Sequence, residues 1–247
     1  MRIGTWNVNR VYRDSERAPG IKAWLTGQQV DLWLLTEIHG DWHARGDGLT
    51  VSPKRSWGAE RQRWAAIETS LTVTKLAPSL GPQHPGEEGL AMARVRCDDA
   101  NVLVACSVLP LEGSGENWVG LPEGRLKQFR FVLRHHIDRI NSERRAGEAV
   151  IWGGDFTQEL KAPYSGGTPD GAEALRSAFE ELDLRPLTES VERLKSDHPA
   201  IDHLAVSPEL ATGPAETHRP PWSDGKYLSD HAAYTAEIAC PGRSVIR

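Results

Sequence analysis

Tyr227-Leu228-Ser229-Asp230-His231, followed at once by the apolar run Ala232 to Ile238, is the stretch that decides how this chain is read. It sets a carboxylate beside an imidazole just ahead of a strand-like segment. Earlier segments are built the same way. They are Thr5-Trp6-Asn7 closing the first apolar run, Leu34-Leu35-Thr36-Glu37 closing the second, Ile151-Trp152-Gly153-Gly154-Asp155-Phe156, and Ala200-Ile201-Asp202-His203-Leu204. Each puts one amide or carboxylate at the margin of strand-forming sequence. Polar groups collected from the ends of several strands are how an α/β scaffold assembles a site for metal and phosphate.

Outward from these segments, short runs rich in Val, Ile, Leu and Trp predict strands at Ile3–Asn7, Asp31–Thr36, Ala65–Thr69, Leu71–Leu76, Leu90–Arg96, Val102–Val108, Ala149–Trp152, Ile201–Val206 and Ala233–Ile238. Apolar residues at helical spacing predict helices over Pro19–Gln29, Glu123–Arg145 and Asp170–Leu182. The order is β-α-β, then consecutive strands, then helix-strand, helix-strand, strand. Consecutive strands do not suit a simple doubly wound sheet. They suit mixed sheets packed face to face with helices outside. One domain over residues 1–247 is expected.

The net charge of −5 argues against a protein held on duplex DNA by a broad basic surface. It leaves nuclease chemistry open, because an acidic metal site adds negative charge of its own. No apolar run approaches the roughly 20 residues that cross a bilayer. Met1 to Trp6 leads straight into strand-like sequence, so no signal peptide and no membrane partner are expected. Cys97, Cys106 and Cys240 form no close pair and are expected as buried free thiols in a reducing cytoplasm. Of the nine tryptophans, Trp6, Trp33 and Trp152 are expected to pack under the site. Trp57, Trp118 and Trp222 stand in loop-like sequence, where they anchor loops or stack on a base.

The ordered set of motifs resembles the endonuclease/exonuclease/phosphatase superfamily of metal-dependent phosphoesterases, from Trp6 to about Ile238. The resemblance implies a DNase I-like four-layer α/β sandwich, two packed mixed sheets flanked by helices. It also implies roles. Glu37, Asp230 and Asn7 would hold Mg²⁺ or Mn²⁺, which favour carboxylate oxygen. Asp155 would orient or deprotonate the attacking water. Asp202 and His231 look like the aspartate–histidine pair that neutralises a phosphate oxygen. Gly153-Gly154 would let the backbone approach the phosphate, and His203 would face away as a structural residue.

The chain departs from the pattern in three places. Thr157 stands where the family usually has Asn, offering one hydroxyl for an amide. Asn9 stands where some members have a second acidic ligand. Cys106-Ser107-Val108-Leu109-Pro110 lacks the expected His or Tyr, so Ser107 is the remaining candidate for a phosphate oxygen. Arg125, with Lys127 and Arg130, either guides an anionic substrate or is a solvated helix face. The expected function is a metal-dependent phosphodiesterase on nucleic acid, with short or single strands favoured. The alternatives are a phosphatase on a small or lipid-derived phosphate and a non-catalytic binding module. Oligomeric state is open.

Overall fold

Strands covered on both faces need no polar alternation, and the apolar runs of this chain take that form. The computed structural model describes residues 1–12, 14–42, 48–55, 60–78, 84–110, 118, 120–193, 198–223 and 226–240. In it one six-stranded sheet joins β1 (Arg2–Val11), β2 (Leu32–His39), β3 (Gly48–Val51), β4 (Gln62–Thr69), β11 (Glu216–His218) and β14 (Ala233–Glu237), in the order β11-β14-β1-β2-β4-β3. A second joins β5 (Val73–Leu76), β6 (Leu90–Cys97), β7 (Ala100–Val108), β8 (Ala149–Asp155), β9 (Arg185–Pro186) and β10 (Asp202–Val206), in the order β5-β6-β7-β8-β10-β9. β12 (Trp222–Ser223) and β13 (Lys226–Tyr227) form a separate hairpin.

The helices are α1 (Ala18–Gly27), α2 (Arg125–Glu143) and α3 (Pro169–Glu181). The inner faces of the two sheets share one core, with Ile3, Leu32 and Leu34 meeting Val104, Ile151 and Leu204. Trp6, Trp33 and Leu35 turn outward to Ile21 and Leu25 of α1. Val150 and Trp152 turn outward to Val132 and Ile137 of α2 and Leu175 and Phe179 of α3. The result is the expected four-layer sandwich. Leu32-Trp33-Leu34-Leu35 alternates between two apolar destinations, which is why its sequence shows no polar period.

Topology puts the motifs at one edge. β1 runs parallel to β2, with Asn7 opposite Thr36, and β10 runs antiparallel to β8, with Asp202 opposite Asp155. β14 returns antiparallel to β1, with Ala233 opposite Trp6, so the loop before it delivers His231 to the same level.

One expectation is corrected by the cysteines. Cys97 and Cys240 form a disulfide with a Cα–Cα separation of 5.6 Å, and Cys106 alone is a buried free thiol. This removes the ground on which a reducing compartment was expected. The glycines before Asp155 are also demanded by strand packing. A Cβ on Gly153 would stand 2.7 Å from the His203 carbonyl, and one on Gly154 would stand 2.0 Å from the Ser107 carbonyl. No described helix is long and apolar enough to cross a membrane. Gly154 also has φ +133°. Gly154→Ala therefore combines overpacking with a strained backbone, and it should lower stability by about 3 kcal/mol and the melting temperature by ~10 °C. Thermal unfolding of the variant followed by circular dichroism checks this; an unchanged melting temperature would contradict the packing described.

Candidate active site

Asn7, at the end of the regular pairing of β1, is the joint of the site. Its Nδ2 donates to Asp155 Oδ2 at 2.9 Å and to Glu37 Oε1 at 3.3 Å. Its Oδ1 accepts the Asn9 N–H at 2.8 Å. One amide thus ties the ends of both sheets together and orients two carboxylates. Ser229 Oγ donates to the Asn7 carbonyl at 2.6 Å and accepts the His231 N–H at 3.1 Å. The Trp6 indole donates to the His231 carbonyl at 3.2 Å. The loop of the opening motif is therefore fastened directly to β1.

Asp155 is buried, and its Oδ1 accepts the Thr157 N–H at 2.9 Å. Desolvation, then the nearby Asp202 charge and that of Glu37, push its carboxyl up to about 7, against the lowering effect of His231 and Asn7. Asp202 is buried beside it and its Oδ2 meets His231 Nδ1 at 2.7 Å. Burial alone would lower the imidazole. The charge and hydrogen bond of Asp202, joined by Asp155 and Asp230, overcome that and raise it to about 10. Both shifts run the same way, favouring the proton on each group, with Asp202 the main charge acting on the ring.

Asp155, Asp202 and His231 bring ligand atoms within 4.8 Å of one another. Asp202 Oδ1 is buried without a hydrogen-bond partner. Glu37 Oε2 holds the Arg10 guanidinium, with Nε at 3.2 Å, so this carboxylate already attracts a cation. Oxygen donors of this kind suit a hard divalent cation. The hydrogen bond between Asp202 and the His231 ring leaves the carboxylate oxygens as the hard donors of the group.

The remaining sequence candidates separate clearly. Asp230 is exposed, and its charge acts on His231. Ser107 is fully buried and accepts from the Trp152 indole at 2.7 Å, so its hydroxyl serves the core and not a phosphate. Asn9 enters the site through its backbone. Arg125 opens α2 at the rim of a cleft of about 220 Å³ that Thr157 also lines. His203 is buried, bonded to Thr188 Oγ1 and the Gln158 carbonyl, in keeping with a structural residue. Trp118 is buried and stacks on Trp64 at 5.5 Å, which makes it a loop anchor. Trp57 and the Trp222 side chain lie outside the described residues. Sequence reasoning missed Arg10 and the Trp6 indole, and read Ser229 only as part of its motif. A strand-end arginine looks like any solvated one, and nothing in its spacing marks the carboxylate it meets.

No protein-family model matches this sequence, and no curated protein matches it. Solved structures share its fold. An endonuclease/exonuclease/phosphatase family protein from Leptotrichia buccalis is 13% identical, with a TM-score of 0.65 over 97% of this chain and 99% of that one. The 3'-5' exonuclease NExo from Neisseria meningitidis is 16% identical, with a TM-score of 0.65 over 96% and 99%. A mannosyl-6-phosphatase from Bacteroides thetaiotaomicron is 15% identical, with a TM-score of 0.64 over 97% and 99%.

Thr157 has φ +53°, a region that β-branched residues avoid and Asn tolerates. Its hydroxyl points away from Asp155 and donates to the Leu109 and Pro110 carbonyls, both at 3.3 Å. The expectation that this hydroxyl acts in the reaction is therefore replaced by a backbone role. Thr157→Asn relieves the strain and should raise the melting temperature by about 2–4 °C, near 1 kcal/mol. A fall in melting temperature would mean that the two long hydroxyl bonds outweigh the backbone conformation.

Proposed function

We propose that this chain is a divalent-cation-dependent phosphodiesterase acting on nucleic acid, with short or single strands favoured over long duplex. The observation that carries the reading is the gathering of Asp155, Asp202 and His231 within 4.8 Å of one another at one mouth, with Asn7 donating to Asp155 and Asp202 meeting the His231 ring. Asp155, held at one oxygen by Asn7 and at the other by the Thr157 N–H, takes a proton from a water and leaves that water nucleophilic toward phosphorus. His231 donates to a non-bridging phosphate oxygen, and Asp202 keeps the ring oriented and charged. Glu37 and the partnerless Asp202 Oδ1, with Asn7 beside them and Asp230 at the rim, would hold Mg²⁺ or Mn²⁺. When bound, such a cation supplies Lewis-acid stabilisation of the phosphate and of the departing oxygen.

The net charge of −5 supports a short or flexible substrate, since the chain carries no broad cationic surplus for a long duplex. The fold is shared by a protein described as a 3'-5' exonuclease and by one described as a mannosyl-6-phosphatase. A monoesterase is therefore the second reading, and the same experiment separates the two.

Hydrolysis of labelled single-stranded DNA, duplex DNA, abasic DNA, RNA and a sugar phosphate is measured with Mg²⁺, with Mn²⁺ and with EDTA. Cleavage of a nucleic acid that disappears with EDTA and falls by about 10²–10⁴ in Asp155→Asn is expected. Turnover of the sugar phosphate alone would establish the second reading. EDTA-resistant cleavage would overturn the cation requirement.

A further inference from the structure

Between Asn7, opposite Thr36, and Val11, opposite Ile38, β1 sets three residues against the single residue Glu37 of β2. The surplus forms a bulge in which Asn9 and Arg10 have φ of 51° and 57°, facing Glu37 at 55°. Asn tolerates this region, whereas Arg and Glu enter it with strain. The bulge is fastened on both sides. The Asn9 N–H donates to Asn7 Oδ1 at 2.8 Å, and Arg17 donates to the Asn9 and Leu228 carbonyls, each at 2.6 Å. This fixed turn carries Arg10 to Glu37 Oε2, yet the arginine side chain stays 59% exposed. An ion pair so open to water returns less than strained backbone residues cost. Stability does not account for the arrangement, and strain of this kind collects at functional sites.

Among the described residues Glu37 is the side-chain partner of Arg10, contacted through Nε alone. The two Nη groups make a planar fork that matches a pair of phosphate oxygens. Glu37 is also a carboxylate suited to a divalent cation, so the guanidinium and the cation compete for the same oxygen. The end of β7 supplies no donor of its own, because Ser107 is buried on Trp152. We propose that Arg10 is the substrate-phosphate arm of this site. In the bare protein it rests on Glu37, and it passes to a phosphate oxygen when a divalent cation takes that carboxylate. The proposal rests on the phosphoesterase reading.

Two equilibrium measurements test it without turnover. Mn²⁺ binding is followed by electron paramagnetic resonance, and inorganic phosphate binding by calorimetry at saturating Mg²⁺. Arg10→Gly is the main variant, since glycine accepts φ of 57° and keeps the bulge foldable. Arg10→Lys keeps the charge and loses the fork. With its competitor removed, Arg10→Gly should bind Mn²⁺ about threefold more tightly and phosphate about tenfold more weakly, with Arg10→Lys between it and the wild type for phosphate. Phosphate affinity unchanged in Arg10→Gly would overturn the proposal. So would weaker Mn²⁺ binding, which would make Arg10 a brace for Glu37. If the wild-type protein binds Mn²⁺ but no phosphate, and cleaves no substrate, the phosphoesterase reading itself fails, which is a different result from equal binding by wild type and variant.

Discussion

Two buried carboxylates of like charge, Asp155 and Asp202, face each other across the β8–β10 pair, and everything around them answers that constraint. Buried like charges repel and lose hydration, so they persist only with donors close at hand. Three donors are supplied: the Asn7 amide, the Thr157 N–H and the His231 imidazole. They come from β1, from the turn after β8 and from the loop before β14. The two sheets must therefore end at a common level for the charges to be satisfied. Trp6, Trp33 and Trp152, all fully buried, give the rigid packing that holds the strands there. Glu37 extends the negative cluster, and Asn7 joins it to Asp155 by a second N–H.

The strand and helix order was legible because each sheet face is covered, so hydrophobic runs mark strands directly. The five motifs were legible because each stands at a strand margin, and the structure gathers Asn7, Glu37, Asp155, Asp202 and His231 at one edge. Less could be read where the cause is non-local or backbone-based. β3, β9, β11, β12 and β13 are edge or hairpin strands of two to four residues, too short to carry a period. The Cys97–Cys240 link spans 143 residues and leaves no spacing signal. Ser107 looked available because sequence cannot say which face of β7 it occupies, and the Trp152 indole claims it. Thr157 looked like a lost amide. Its left-handed backbone shows that the position favours Asn for conformational as well as chemical reasons.

The fold is common to solved structures only 13–16% identical, among them an exonuclease and a sugar phosphatase. A shared sandwich does not by itself fix an activity, which depends on the side chains grafted on it. In this chain the rim holds Arg10 on its bulge, Asp230, and the cleft between Arg125 and Thr157. The buried center, by contrast, is closed by its own bonds: Asn7 donates to Asp155, and Asp202 meets the His231 ring.

That pairing of Asp202 with His231 is tested most directly by titrating the His231 imidazole in the metal-free protein, using nuclear magnetic resonance of ¹⁵N-histidine. The account predicts that the ring stays doubly protonated through pH 8 and titrates at about 10, and that Asp202→Asn brings it down toward the ordinary histidine value of about 6.5. Titration near 6.5 in the unaltered protein would contradict it, because His231 would then be neutral at the mouth of the site and could not serve the phosphate as a cation.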